Sequence, residues 1–234
     1  MASMLKEIRR EMHGGGGALI DIPWPIRKAF RCFTHPITLN ARDVLFHAGD
    51  PGDGCYIVRR GVVKASVVAR DGQERLLAVL GPGALIGELA LIDDEPRSAT
   101  IAAMRDCRLI HLPKSSFFRL ADQHPIVYRQ ALRILAQRLR GTNDTVIAQG
   151  SITVAGRVAR AFAALANGLG DELPNGAILL NHKISQTDIA GMAGVARENA
   201  SRAINELIRD GIISRDKSLY VIANPVELLD MATI

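Results

Sequence analysis

The chain has 234 residues, 48% of them hydrophobic and 23% charged, the balance of a soluble globular protein with one large or two modest cores. No apolar run approaches the roughly 18 residues a membrane span needs, and the N-terminus MASMLKEIRREMHGGGG has no apolar stretch of the kind a secretory signal carries. The net charge of +5 invites a nucleic-acid partner, but residues 151–234 hold eight Lys/Arg against nine Asp/Glu, so charge alone does not place such a surface.

In chain order, the N-terminal segment reads as a short helix followed by a flexible glycine run. Residues 36–112 then read as strands and turns. The apolar runs DVLFH, CYIVRRGVVKASVVA, RLLAVL, ALIGELAL, ATIAAM and RLIHLP alternate with the turn signals GDPGDG (49–54), RG (60–61), DG (71–72) and GPG (81–83). Asp71-Gly72 between two such runs is a hairpin signal, because glycine tolerates positive φ. Short strands at this spacing predict a small antiparallel barrel or roll. Cys32, Cys55 and Cys107 lie far apart without C-x-x-C spacing, and the six histidines are scattered. That pattern argues against a zinc site, an iron–sulfur cluster or a disulfide framework and fits reduced thiols in the cytoplasm.

Within the roll, GALIGELALIDDEPRSATIAA (residues 83–103) is apolar enough to be buried, yet it carries Glu88 and Arg97. Either the two charges form an internal ion pair, or they flank a ligand. A buried pair rarely repays its desolvation, which favours the ligand. A cyclic nucleotide has the right chemistry. Arg97 can fork onto its phosphate, Ser98 can donate to the same group, Glu88 can accept from the ribose hydroxyl, and Gly87 lets the backbone approach closely.

After LPKSSFFRLADQHP the texture changes. Residues 126–149 contain no proline and one glycine, Gly141, which at mid-helix costs about 1 kcal/mol relative to alanine. Leu132, Leu135, Leu139, Thr142 and Val146 follow 3-4-3-4 spacing and fall within an arc of about 80°. So narrow a seam predicts pairing with a second helix, hence a dimer. Beyond residue 151, VAGRVARAFAALANGLG reads as an amphipathic helix, AILLNH as a short strand, and GIISRDKSLYVIA as a hairpin with its tip at residues 215–218.

Between those pieces, residues 183–211 (KISQTDIAGMAGVARENASRAINELIRDG) read as a helix-turn-helix. Ser185 is the expected N-cap, Asp188 completes a capping box, Ala190 is small where helices cross, and Gly194 sits where the turn needs positive φ. The second helix buries Ala200, Ala203, Ile204 and Leu207 and turns Glu198, Arg202, Asn205 and Arg209 outward, with Ser201 on the flank. Arg197, Glu198 and Arg202 offer guanidinium forks for guanine and a carboxylate for cytosine near a helix N-terminus. The plainer reading is an i, i+4 surface pair between Glu198 and Arg202. Arg215 and Lys217 of the hairpin can touch phosphate.

GELAL (87–91) followed by PRSAT (96–100) resembles the phosphate-binding cassette of cyclic-nucleotide-binding domains. With the long helix and GVARENASR (194–202), the chain over about residues 38–224 resembles the Crp/Fnr family of bacterial transcription factors. The resemblance implies an α+β fold with an N-terminal antiparallel β-roll (1–122), a long dimerisation helix (123–150) and a C-terminal winged helix-turn-helix (151–234). It implies phosphate contacts from Arg97, Ser98 and the adjacent Ala99, ribose contact from Glu88, and backbone contacts around Ile86, Gly87 and Leu89. Thr142 and Asn143 would meet the nucleobase, with Arg138 a further candidate for that pocket. Asn143 stands where serine is usual. The DNA-contacting set would be Ser185, Gln186, Arg197, Glu198, Asn199, Ser201, Arg202, Arg215 and Lys217, on a palindrome with TGTGA-like or TTGA-like half-sites. Asn199 departs from the common pattern, and Ala196 replaces a capping serine, which should cost about 1 kcal/mol.

The expectation is therefore a non-enzymatic, cytoplasmic homodimer that binds double-stranded DNA, works with RNA polymerase and takes cyclic AMP as effector, without metal, haem or iron–sulfur cluster. Cys55 and His111 read as strand-packing residues rather than haem ligands. The alternatives are a regulator of the same family with another effector or none, a cupin-like enzyme, for which the clustered metal ligands are missing, and a purely structural DNA-bender.

Overall fold

The computed structural model describes residues 34–69, 72 and 74–233. The expected N-terminal helix and glycine run, Cys32, and Asp71 of the hairpin signal lie outside them. These residues pack as two units, 34–67 with 80–139, and 68–79 with 140–233.

In chain order come β1 (His35–Leu39), β2 (Val44–Phe46), β3 (Gly54–Arg60), β4 (Val63–Val68), β5 (Glu74–Leu80), β6 (Leu85–Ile86), α1 (Glu88–Ile92), β7 (Thr100–Ala103) and β8 (Cys107–Pro113). The strands form two sheets, in the orders β1-β8-β3-β6 and β2-β7-β4-β5. Pairing is antiparallel, with Cys55 opposite Leu112 and Ile57 opposite Ile110 in one sheet, and Ala65 opposite Ile101 in the other. Residues two apart on a strand share a face, so Cys55, Ile57 and Leu112 turn inward together. They join Leu85 and Leu91 in one core with Phe117, Leu120 and Ala121 of α2 (Lys114–Gln123) and Val127 and Ala131 of α3 (Ile126–Ser151).

ALIGELAL does not stay a strand, as its apolar run suggests. Only Leu85 and Ile86 pair, after which Gly87 adopts φ 77° and caps α1. A left-handed residue ends the extended run, and one helical turn then buries Glu88, Ala90 and Leu91 together. That turn brings a carboxylate into the core, which a strand with alternating faces would not do for these three positions.

The long helix occupies the expected segment. Val127 and Ala131 face the roll core, whereas the seam residues Leu132 and Leu139 are 65% and 63% exposed. Large apolar side chains left that open on a helix form a surface that none of the described residues covers. The side chain of Val146, the last seam residue, lies outside the described set.

In the second unit α4 (Val154–Leu169) is capped by Thr153, whose Oγ1 accepts from the Gly156 amide at 3.1 Å. Its buried stripe includes Val158, Phe162, Leu165 and Leu169. There follow β9 (Gly170–Glu172), β10 (Ile178–Leu180), α5 (Gln186–Ala193), α6 (Arg197–Arg209), β11 (Ile213–Asp216), β12 (Leu219–Ile222) and α7 (Pro225–Thr233). The wing sheet has the order β11-β12-β10-β9. Asp216 pairs with Leu219, and Lys217 at φ 57° with Ser218 forms the tip where the sequence places it. β9 and α7 are not apparent from sequence: Gly-Asp-Glu has no strand periodicity, and β9 exists only because Leu179 finds Asp171 across the ladder. Among the described residues no helix is long and apolar enough to cross a membrane.

Candidate functional site

The cassette is a turn and two loops locked together. Gly87 is the N-cap of α1, Glu88 its first residue, and Arg97 lies in the loop entering β7. That loop is tied to the turn at 49–54: the Arg97 amide donates to the Asp50 carbonyl and the Gly49 amide to the Arg97 carbonyl, both at 2.8 Å. Ile86 and Glu88 are buried, Gly87 and Ala99 half-buried, and Leu89 and Ser98 exposed.

Glu88 and Arg97 do not pair with each other among the described contacts. The Arg97 side chain is 1% exposed, and its Nη1 donates to the carbonyls of Gly54 (2.8 Å) and Gly87 (2.9 Å). Its Nη2 donates to Asp53 Oδ1 at 2.6 Å, while Nε is buried with no hydrogen-bond partner among the described residues. The guanidinium lies 4.3 Å from the centroid of Phe46, a cation–π contact that fixes its plane. A Cβ on Gly87 would stand 2.3 Å from Arg97 Nη1, so glycine is required there by contact as well as by φ. An orphaned donor on a buried cation is unusual, because such groups are normally bonded. Two backbone anchors hold this guanidinium in place and leave Nε–H with unspent donor capacity, which suits an oxyanion.

In the sequence Asp53 reads only as part of a turn signal, yet it is the carboxylate next to Arg97. Its side chain is 60% exposed. It accepts from the Tyr56 hydroxyl at 3.0 Å, and His111 Nε2 lies 3.4 Å from its other oxygen. Tyr56 stacks on His111 with ring centroids 4.6 Å apart. Burial, then the Asp53 charge, pushes the Tyr56 hydroxyl up to about 12, while burial holds the His111 imidazole below its ordinary value against the opposing pull of Asp53. Burial and the nearby Glu88 push the Cys55 thiol up to about 12, and Cys55 sits fully inside the strand core. Among the described residues no three His, Cys, Asp or Glu side chains are grouped to hold a metal.

Glu88, whose side chain is 2% exposed, is answered from α3. Arg138 Nη1 donates to Glu88 Oε1, and Arg138 Nη2 to the Leu85 carbonyl. The two charges, nine positions apart, thus each have a partner of their own: Asp53 for Arg97, Arg138 for Glu88. Thr142 and Asn143 follow on α3, one turn beyond Arg138, both exposed.

The second unit presents the helix-turn-helix. Ser185 caps α5, its Oγ accepting from the Asp188 amide at 3.0 Å while Asp188 Oδ2 accepts from the Ser185 amide at 3.2 Å. Gly194 takes φ 62° in the turn. On α6 the buried stripe is Ala200, Ala203, Ile204 and Leu207. Arg197, Glu198 and Arg202 are exposed, Gln186, Asn199 and Ser201 half-buried. Arg202 bonds Asn199 Oδ1 at 2.8 Å. Ala196 has an extended backbone and no side-chain cap. Arg215 and Lys217 are exposed on the wing, and Arg215 is tethered to the Tyr220 hydroxyl at 2.6 Å.

Known proteins share both parts. Residues 36–124 match the cyclic nucleotide-binding domain family and residues 156–231 the Crp-like helix-turn-helix domain family. The chain is 31% identical over 193 residues to the CRP-like cAMP-activated global transcriptional regulator of Mycobacterium tuberculosis, covering 82% of this chain and 86% of that one. It is 33% identical over 170 residues to the cyclic AMP receptor protein of Thermus thermophilus, covering 72% and 74%. Its fold is similar to that of a CRP/FNR-family transcriptional regulator, also from Thermus thermophilus, with a TM-score of 0.72 and 26% identity, covering 86% of this chain and 99% of that one.

Proposed function

The chain belongs to the Crp/Fnr family of transcription regulators, and from that premise we propose that it acts as a cytoplasmic homodimer whose hold on a two-fold DNA site is set by cyclic AMP bound at the cassette of Glu88 and Arg97. The observation that carries this reading is the Arg97 guanidinium, buried, anchored through Nη1 and left with Nε–H unpartnered. Among biological effectors, a cyclic phosphodiester supplies the single negative charge and the pair of oxygens that such an edge accepts. Ser98 and the Ala99 backbone sit next to Arg97 in sequence and supply further donors. Glu88, neutralised at one oxygen by Arg138, offers the other to a ribose hydroxyl. The backbone of Ile86, Gly87 and Leu89 frames the sugar, and Thr142 and Asn143 are assigned to the base. The two relatives named for cyclic AMP support that choice of nucleotide.

The exposed Leu132 and Leu139 supply the dimer seam, whose burial against a second copy would remove two large apolar side chains from water. Two reading helices then face successive major grooves about 34 Å apart. In that arrangement Arg197, Glu198 and Arg202 read base edges. Ser185, Gln186, Asn199 and Ser201 support them, and Arg215 and Lys217 touch phosphate. If ligand favours the paired, DNA-competent geometry, linkage requires DNA to tighten ligand binding by the same factor. RNA polymerase is the expected downstream partner.

Selection of bound sites from random duplexes, with and without cyclic AMP, tests the whole scheme. The expected outcome is a palindrome recovered far better in the presence of the nucleotide. Titration calorimetry with cyclic AMP and cyclic GMP should show binding that Arg97→Ala weakens by at least about a hundredfold, since two charge-assisted hydrogen bonds are lost. No binding heat with either nucleotide defeats the effector assignment, and a footprint without two-fold repeat defeats the dimer.

A further inference from the structure

We propose that Asp53 is a built-in competitor for the anion site, a carboxylate that occupies Arg97 and sets how tightly any phosphate is held. This rests on the reading of Arg97 as the phosphate-binding cation. Three observations separate competition from mere support. First, Arg97 does not need Asp53 for its position: Nη1 already bonds two main-chain carbonyls, and the Phe46 ring fixes the plane. Second, Asp53 takes a single nitrogen, Nη2, and leaves Nε unpartnered, so it fills half of the edge that a bidentate oxyanion would use. Third, Asp53 is mostly exposed while Arg97 is almost wholly buried, which places the carboxylate on the solvent side of the cation.

A phosphate arriving on the Nε and Nη2 edge would stand within one guanidinium width of a second negative charge, a like-charge contact that disfavours both occupants. Asp53 has somewhere to go. The Tyr56 hydroxyl already donates to both of its oxygens, at 3.0 and 3.2 Å, and His111 Nε2, itself without a hydrogen-bond partner, is 3.4 Å from Oδ2. A small swing that releases Nη2 keeps the carboxylate bonded to Tyr56 and brings it toward His111. Arg97 is thus neutralised when no anion is bound and released when one arrives, and the affinity reflects the difference between the two anions. The device acts on the phosphate alone, so it changes affinity for every phosphate ligand by a common factor and leaves discrimination between bases untouched.

The test compares the full chain with Asp53→Asn and Asp53→Ala in titration calorimetry, using inorganic phosphate, cyclic AMP and cyclic GMP as separate probes. Removing the competing charge should tighten all three by a similar factor, roughly tenfold. Adding Arg97→Ala to either variant should abolish the gain. Unchanged or weaker binding in both Asp53 variants would show that the carboxylate supports Arg97 instead, and the inference fails. Tighter inorganic phosphate in the variants with no cyclic-nucleotide binding in any chain upholds the competitor and defeats the effector assignment. No binding of any probe by any chain defeats both. A gain for cyclic AMP but not cyclic GMP would also overturn the inference, because Asp53 would then be acting on the base.

Discussion

Arg138→Met removes the cation that answers Glu88 while keeping the length and much of the apolar stem of the side chain. Glu88 would be left as a carboxylate only 2% exposed, and the Leu85 carbonyl would lose a donor. Breaking a fully buried ion pair by deleting one partner costs about 3–5 kcal/mol. Arg138 is 38% exposed, so water reaches one side of the pair and part of the lost attraction is screened. That discount brings the expected destabilisation to about 2–3 kcal/mol. Glu88→Gln alone should cost about 1 kcal/mol, since an amide still accepts from Arg138 and no charge is stranded. The decisive measurement is the double variant by urea unfolding, followed by circular dichroism. With the charge gone, losing Arg138 should matter little, and Arg138→Met with Glu88→Gln should fall within about 1 kcal/mol of Glu88→Gln alone. If the two effects simply add, or if Arg138→Met costs less than about 0.5 kcal/mol, the pair does not carry the weight assigned to it.

Gly87→Ala forces a Cβ to within 2.3 Å of Arg97 Nη1 at a backbone φ of 77°, so it should destabilise by about 1–2 kcal/mol and displace the guanidinium. Phosphate binding by calorimetry should drop with it, and intact binding would contradict the contact. Ala196→Ser supplies the missing cap of α6 on a backbone already extended, and should stabilise by about 1 kcal/mol, read as a higher melting temperature; no gain would mean the cap hydrogen bond does not form. Burial depresses the His111 imidazole below its ordinary value of 6.5, against the pull of Asp53. A base depressed in the fold contributes stability above its unfolded value and loses it as the pH falls through the folded one. Stability measured from about pH 7.5 downward should therefore decline below about 6.5, and His111→Gln should flatten that decline; equal slopes in the two chains would rule it out.

Much of this molecule was legible from local pattern. The capping box of Ser185 and Asp188, the left-handed Gly194, and the stripe of Ala200, Ala203, Ile204 and Leu207 follow from spacing alone, because helix geometry depends on neighbours three and four residues apart. The alternation of apolar runs and turns likewise announced an antiparallel roll, and the narrow seam on α3 announced apolar side chains that its own unit leaves exposed. Where the same local logic misled was ALIGELAL, whose apolar run hid a helical turn started by one glycine.

From the sequence alone one reads that Glu88 and Arg97 share one largely apolar stretch, residues 83–103, and the fold buries both. Their partners come from contacts that the folded chain alone creates. Arg97 reaches Asp53 across 44 positions and Glu88 reaches Arg138 across 50, and no periodicity links residues so far apart. Burial is written in composition along a short stretch, whereas the partner of a buried charge depends on which loop and which helix face the fold brings within about 3 Å of it.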